Sequence, residues 1–372
     1  MGNVINVPGK ILFLGGYSVL EDGHPSLSLA VVDGDGKGVI ASVKENKKDV
    51  LIAKQFGIEK NISLDNFEKE NVATTAFLIT KLYLEEKGYA NNFKVELNNS
   101  PAFGIKNKAG LGSSAAAIVG VVKSLFAAND IDLDAHLETI HKLAQYSYSV
   151  YSGKIGSGFD IATCSKGCTI TYKRFHPSAI ELPSSFDDRK TVVKSLLNSI
   201  EKPWDGLSIK RFTIPEKYYT LFFDIEGGQT STISNVKAVM QWRKQNEKEY
   251  LNLINKQKDY EIKAIDALLK GDNAGLRLQV HKAREIHTTL QELVKASIPD
   301  FNPIEPEPLS KIIGIGESLP GIVGGRCPGA GGWDGLVFII DKEYFVESDI
   351  EQIINVGKEF NLKMNHIPLR LL

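Results

Sequence analysis

Cysteine is scarce in this chain: Cys164, Cys168 and Cys327 are the only three among 372 residues, an odd number with no C-x-x-C pair. That spacing argues against both a disulfide framework and a structural zinc site, and the thiols are expected as small buried hydrophobes. No apolar run reaches the ~18 residues of a bilayer-crossing helix. The first thirty residues also lack the basic start, greasy core and small-residue cut site of a secretory signal, so a cytoplasmic protein is expected. An excess of one charge is missing too. Lys and Arg number 44 against 45 Asp and Glu, a net −1, which argues against a nucleic-acid partner held by charge alone. Internal repeats and low-complexity tracts are absent. What remains is an ordinary globular composition, long enough for two domains at roughly 150 residues each. Two domains leave a cleft between them.

Short apolar stretches broken by Pro8-Gly9 and Gly15-Gly16 read as strands from Val4 to Leu20, with Lys10 beside the first break. A strand from Ser26 to Val32 runs into the turn Asp33-Gly34-Asp35-Gly36, and Val39–Val43 with Val50–Ala53 are expected to pair as a hairpin. A helix at about 70–87 and a strand at Phe93–Leu97 follow. The next helix, ending near Ala128, shows one apolar stripe of Ala115, Val119, Val122 and Phe126. Another helix is expected from about Asp132 to Gly153, with Leu133, Leu137, Ile140 and Ala144 on one face. Residues 155–175 read as loop and strand, and the polar stretch Pro183–Pro203 as a linker or insertion. Thr220–Ile225 opens a second half with a strand, placing a boundary near residue 210 and domains at 1–210 and 211–372. Charged helices at about 231–270 and 274–296, a proline-rich turn at Pro303–Pro308, a glycine-rich loop at Gly321–Gly332 and a strand at Leu336–Ile340 complete the chain.

The most informative run is K-A-G-L-G-S-S-A-A-A, Lys108 to Ala117. Gly110 and Gly112 permit close backbone approach, and Ser113-Ser114 lead into a helix whose first N–H groups point outward, a ready anion site suited to a polyphosphate. The alternative is a tight turn with Ser113 as a simple N-cap. The run also fits the dinucleotide fingerprint G-x-G-x-x-A, but the following N-D-I-D-L-D-A-H-L-E starts a helix where that unit needs a parallel strand. No G-K-[ST] supplies a Walker loop either. Three further stretches each have a plain structural reading alone: Lys10 as a solvated lysine, Asp160 in G-S-G-F-D as a cap, and P-G-A-G-G-W-D (328–334) as a turn. The run G-G-Q-T-S-T (227–232) reads equally as a capped helix start or as donors across the cleft. His136 and His141, five apart, and His281 and His287, six apart, do not share a helix face as a metal pair would.

Taken together, P-G-K-I-L near the start, G-L-G-S-S-A-A in the middle, S-G-F-D shortly after and P-G-A-G-G before a late strand resemble the GHMP small-molecule kinases over nearly the whole chain. The resemblance implies an α+β fold of two domains, the first with a left-handed crossover and the second ferredoxin-like. It implies ATP and Mg2+ as cofactors and cleft residues in named roles. Lys10 and Asp160 would be catalytic; Lys108, Gly110, Leu111, Gly112, Ser113 and Ser114 would bind ATP; Lys10, Tyr17, Ser157 and Asp160 would touch substrate; Ser114 would ligate the metal. Further matches in P-G-K-I-L-F-L-G-G-Y-S-V-L (8–20), A-Q (144–145) with G-K-I-G-S-G-F-D-I-A (153–162), Y-K-R-F (172–175) and I-E-P (304–306) are similar to the branch whose acceptor is a phosphomonoester, 5-phosphomevalonate. A branch acting on a hydroxyl typically has Gly-Glu-His where this chain has Gly16-Tyr17-Ser18, and a metal-binding Glu at the position of Ser149. Rival readings are such a hydroxyl kinase, a metabolite-binding regulator on the same fold, and a nicotinamide-dependent oxidoreductase.

Overall fold

The structure, a computed structural model, describes residues 2–63, 71–103, 110–186, 188–228 and 231–372. In the first half the order is β1 (Asn3–Val7), β2 (Gly9–Leu14), β3 (Ser26–Asp33), β4 (Val39–Glu45), β5 (Val50–Ala53), β6 (Ile58–Asn61), α1 (Val72–Glu86), β7 (Phe93–Asn99), α2 (Ser113–Ala128), α3 (Leu137–Ser152), α4 (Phe159–Lys166), β8 (Ile170–Lys173), α5 (Arg189–Ile200) and β9 (Ser208–Arg211). The second half runs β10 (Tyr218–Ile225), α6 (Thr232–Gln245), α7 (Glu247–Lys270), α8 (Asn273–Ser297), α9 (Glu307–Ser318), β11 (Ile322–Arg326), β12 (Gly335–Asp341), α10 (Ser348–Glu359), β13 (Met364–Ile367) and β14 (Leu369–Leu371).

Three sheets carry these elements. One has the order β1-β4-β7-β5-β6, and its β5–β7 pair is parallel, joined across α1. The expected hairpin between Val39–Val43 and Val50–Ala53 does not form, because β7 inserts between them: β4 pairs β7 antiparallel over its full length. A second sheet is built on β3, which pairs β2 and β8, while β14 returns from the chain's end to its far part. The third, β11-β12-β10-β13, is antiparallel throughout and places the first strand of a β-α-β-β-α-β unit between the third and fourth, the ferredoxin-like arrangement.

Helix α2 is the pillar of the first half. The expected single apolar stripe is an underestimate, since Ala115 to Val122 are all buried and α2 contacts α1, α3 and the sheet; a helix apolar all round belongs in a core. A second core joins the halves: Ile11, Phe13, Leu27 and Leu29 pack with Phe222, Val337, Leu268 and Val280. Their burial fixes the angle at which the two halves meet, and with it the cleft.

Four further expectations need correction. The helix read from Asp132 starts at Leu137, because Asp132 accepts hydrogen bonds from the Asp134 and Ala135 backbone and closes a turn first. Residues 155–175 hold α4, bounded by left-handed glycines at 158 and 167. The polar stretch 183–203 holds α5, capped by Asp188 on the Lys190 and Thr191 N–H groups. Part of the glycine-rich run 321–332 is strand β11, where Phe338 fills the space a side chain on Gly325 would need. Among the described residues no helix is long and apolar enough to cross a membrane. The three cysteines are unpaired, with Cys164 and Cys327 buried.

Candidate active site

Lys10 stands where three loops converge. On β2 its backbone N–H donates to Leu111 O at 2.8 Å and its Nζ to Gly110 O at 2.8 Å, so one residue grips the glycine loop by main chain and side chain together. Gly112, at φ +80°, is forced by that grip: a Cβ there would lie 2.8 Å from Lys10 Cγ. Burial pulls the Lys10 pKa below the ordinary lysine range, opposed by the charges of Asp160 and Asp334. Its ammonium also lies 5.2 Å from the Phe159 ring centre.

The start of α2 decides between the two readings of its serines. Gly112 is the N-cap and makes no side-chain cap bond, so Ser113 is the first helical residue and not the cap. Ser114 is exposed and Ser113 half-buried. The first-turn N–H groups are thus left for an anion. Lys108 lies outside the described residues.

Asp160 opens α4, its Oδ1 accepting from the Ile161 N–H. The turn ahead of it is pinned by the Tyr172 hydroxyl donating to Ser157 O at 2.6 Å. Across the cleft, Tyr17 is 1% exposed and donates to Ala330 O, while burial drives its phenol far above the ordinary range. The 328–332 loop is held by two backbone bonds, Gly329 N–H to Leu12 O and Gly332 N–H to Ile304 O. Gly331 sits so close to Ile304 O, 2.0 Å from where its Cβ would be, that the I-E-P and P-G-A-G-G motifs are two halves of one contact.

The enclosed end of the cleft holds about 110 Å³ and is lined by Lys10, Gly110, Ser157 and Tyr17. Leu111, Gly112, Ser113 and Ser114 continue from its mouth along α2. Sequence reasoning missed Phe159 and Asp334, both in the lining. Asp334 was within reach of it, being the last residue of P-G-A-G-G-W-D. Of the run 227–232, Gln229 and Thr230 lie outside the described residues; Ser231 caps α6 through the Ser234 N–H, and Thr232 faces the cleft.

Ser149, at the position of the other branch's metal-binding Glu, is fully buried and donates to Gln145 O at 2.9 Å, so it ligates nothing. Among the described residues no group of three His, Cys, Asp or Glu can hold a metal. The donors present suit Mg2+ bound mainly through nucleotide phosphates and water, with Ser114 and a carboxylate added.

A model of the GHMP kinases N-terminal domain matches residues 72–168, the stretch from α1 through α4. The phosphomevalonate kinase of Candida albicans is 31% identical, over 91% of this chain and 90% of its own. The chain belongs to the GHMP kinase family. The phosphomevalonate kinase of Gibberella zeae is 32% identical over 70% of this chain but only 57% of its own length, so the chain spans little more than half of the first curated relatives it matches. A solved phosphomevalonate kinase from Streptococcus pneumoniae, in complex with phosphomevalonate and AMPPNP, superposes with a TM-score of 0.71 at 19% identity, covering 98% of this chain and all of that one. The two-domain α+β fold is thus that of GHMP kinases.

Proposed function

We infer that this GHMP kinase transfers the γ-phosphoryl group of ATP to the phosphate of (R)-5-phosphomevalonate, giving 5-diphosphomevalonate and ADP. The observation that carries this reading is Lys10, half-buried between the glycine loop and the 328–334 loop with Asp160 and Asp334 facing it. The full-length likeness to the Candida albicans phosphomevalonate kinase supports the choice of acceptor.

In this reading residues 1–210 form the nucleotide-binding domain and 211–372 the second domain, the last strand β14 crossing back to β3. The first-turn N–H groups of α2 with Gly110, Leu111, Gly112, Ser113, Ser114 and Lys108 receive the ATP phosphates. Mg2+, when bound, neutralises phosphate charge that would otherwise oppose transfer. An acceptor phosphate oxygen bonds to the γ-phosphorus as the bond to the β-phosphate oxygen breaks. Both reactants are anions, and Lys10 lowers their repulsion: a cation at ~4 Å is worth roughly 4 kcal/mol at an effective dielectric of 20. The acceptor is already ionised at neutral pH, so Asp160 orients Lys10 and the metal and no base is needed. Tyr17 and Ser157 complete the acceptor's side of the cleft.

Coupled ADP release with ATP and Mg2+, comparing 5-phosphomevalonate with mevalonate, tests the reading. Turnover of the phosphomonoester alone is the expected result. Turnover of mevalonate alone moves the chain to the hydroxyl-kinase branch and restores Asp160 as a base, and silence with both removes kinase activity toward this acceptor class.

A further inference from the structure

Behind the Gly15-Gly16-Tyr17-Ser18 turn lies a cluster of buried polar side chains that the transfer chemistry does not use. Glu261, on α7 and completely buried, takes the Gly15 N–H at 2.8 Å on one carboxyl oxygen and meets the Ser18 hydroxyl at 2.7 Å with the other. Gln257, one turn earlier on the same helix, lies 2.7 Å from Glu261, 3.1 Å from Gly15 O and 2.9 Å from His287 Nε2. The far side of His287 accepts from Arg326 at 3.2 Å. Arg326 leads directly into the 328–332 loop, so the cluster spans the two loops that close on Tyr17.

The carboxyl group of Glu261 thus holds both ends of the turn at once, the Gly15 N–H on Oε1 and the Ser18 hydroxyl on Oε2. Ser18 also reaches Gly15 O at 2.6 Å, and Gln257 Nε2 reaches both Gly15 O and Glu261, so the turn is tied to α7 by a closed set of short contacts. Burial raises the Glu261 pKa against the opposing charge of Arg326.

We propose that Glu261 is a positioning residue whose two carboxyl oxygens lock the Gly15–Ser18 turn to α7 and so set where Gly16 and Tyr17 meet the acceptor. The effect on acceptor rests on the function inferred above; the locking of the turn does not. A side-chain amide can accept from the Gly15 N–H with its oxygen and donate to the Ser18 hydroxyl with its nitrogen, keeping both links, whereas a thioether of similar volume can do neither. Glu261→Gln is therefore expected to keep the KM for 5-phosphomevalonate within about twofold. Glu261→Met should raise it about tenfold or more while the KM for ATP stays within about twofold. Hydrogen exchange of the peptide containing Gly15, measured without substrate, should speed up in Glu261→Met and not in Glu261→Gln. Should Glu261→Met fail to fold, Ser18→Ala takes its place, with the same split in KM at smaller size. A Glu261→Gln enzyme as impaired as Glu261→Met overturns the hydrogen-bonded lock, and a folded Glu261→Met enzyme with unchanged acceptor KM and exchange overturns the positioning role. Wild-type chain silent on 5-phosphomevalonate sinks the inferred function instead, and the exchange result still decides the lock.

Discussion

The two loops that meet Lys10 and Tyr17 are held by opposite means. The Gly110–Ser114 loop is gripped through its backbone, by Lys10 and by the absence of side chains, with few charges buried. The Gly15–Ser18 turn is gripped by buried side chains of α7, backed by Arg326, Arg284 and Glu305. A backbone grip leaves N–H groups available to a ligand that comes and goes. A side-chain grip holds one geometry, at the cost of burying charge that only its partners make tolerable.

Breaking the side-chain grip should cost the most stability. Arg284 forks onto Glu305 at 2.6 and 2.9 Å, and both are buried. Arg284→Ala is expected to lower unfolding free energy by about 3 to 5 kcal/mol, measured in urea, because it strands two carboxylates. On the other side Lys10→Ala should leave stability near wild type and lower kcat by about a thousandfold in the ADP-release assay. The same lysine sets an alkaline limit: its lowered pKa makes kcat/KM fall at a pH below the ordinary 10.5. Lys10→Arg should push that limb upward. In stability the sign is reversed, since between the folded pKa and 10.5 the unfolded chain binds more protons, so the Lys10 contribution rises with pH there.

Smaller effects sharpen the contrast within the backbone-held loop. Gly112→Ala meets both a left-handed φ and the Lys10 side chain, so a loss of roughly 1 to 3 kcal/mol is expected together with a higher KM for ATP. Gly110→Ala, at φ +67° but with nothing within 4 Å, should cost only roughly 1 kcal/mol. Ser113→Ala should change stability by less than about 0.5 kcal/mol, because Gly112 and not Ser113 is the cap; a larger loss in thermal unfolding would return Ser113 to the capping role.

The same contrast explains what could be read in advance. The backbone-held loop announces itself locally: G-L-G-S-S-A-A lies within one short run, as P-G-K does, although 100 residues separate Lys10 from the Gly110 it grips. The GHMP resemblance was carried by such runs, and the Candida albicans relative bears the family out. The side-chain grip gives no such sign, because Glu261 lies 243 residues from Ser18 and reads on its own as one acid on a charged helix. Helices α4 and α5 were hidden for another reason: they are short and owe their ends to Gly158 and Asp188, which a search for long apolar stripes passes over.

The sequence by itself determined the glycine positions, the apolar runs that became β3, β10 and β12, and the order of the cleft motifs, because each of these is fixed by steric and periodic rules acting over a few residues. Tertiary structure alone decided that β7 parts β4 from β5, that Asp334 joins Asp160 around Lys10, and that an acid on α7 holds the turn beside Tyr17. Those arrangements come from burying cores whose residues lie far apart along the chain, and a pattern confined to neighbouring residues carries no record of what that burial brings together.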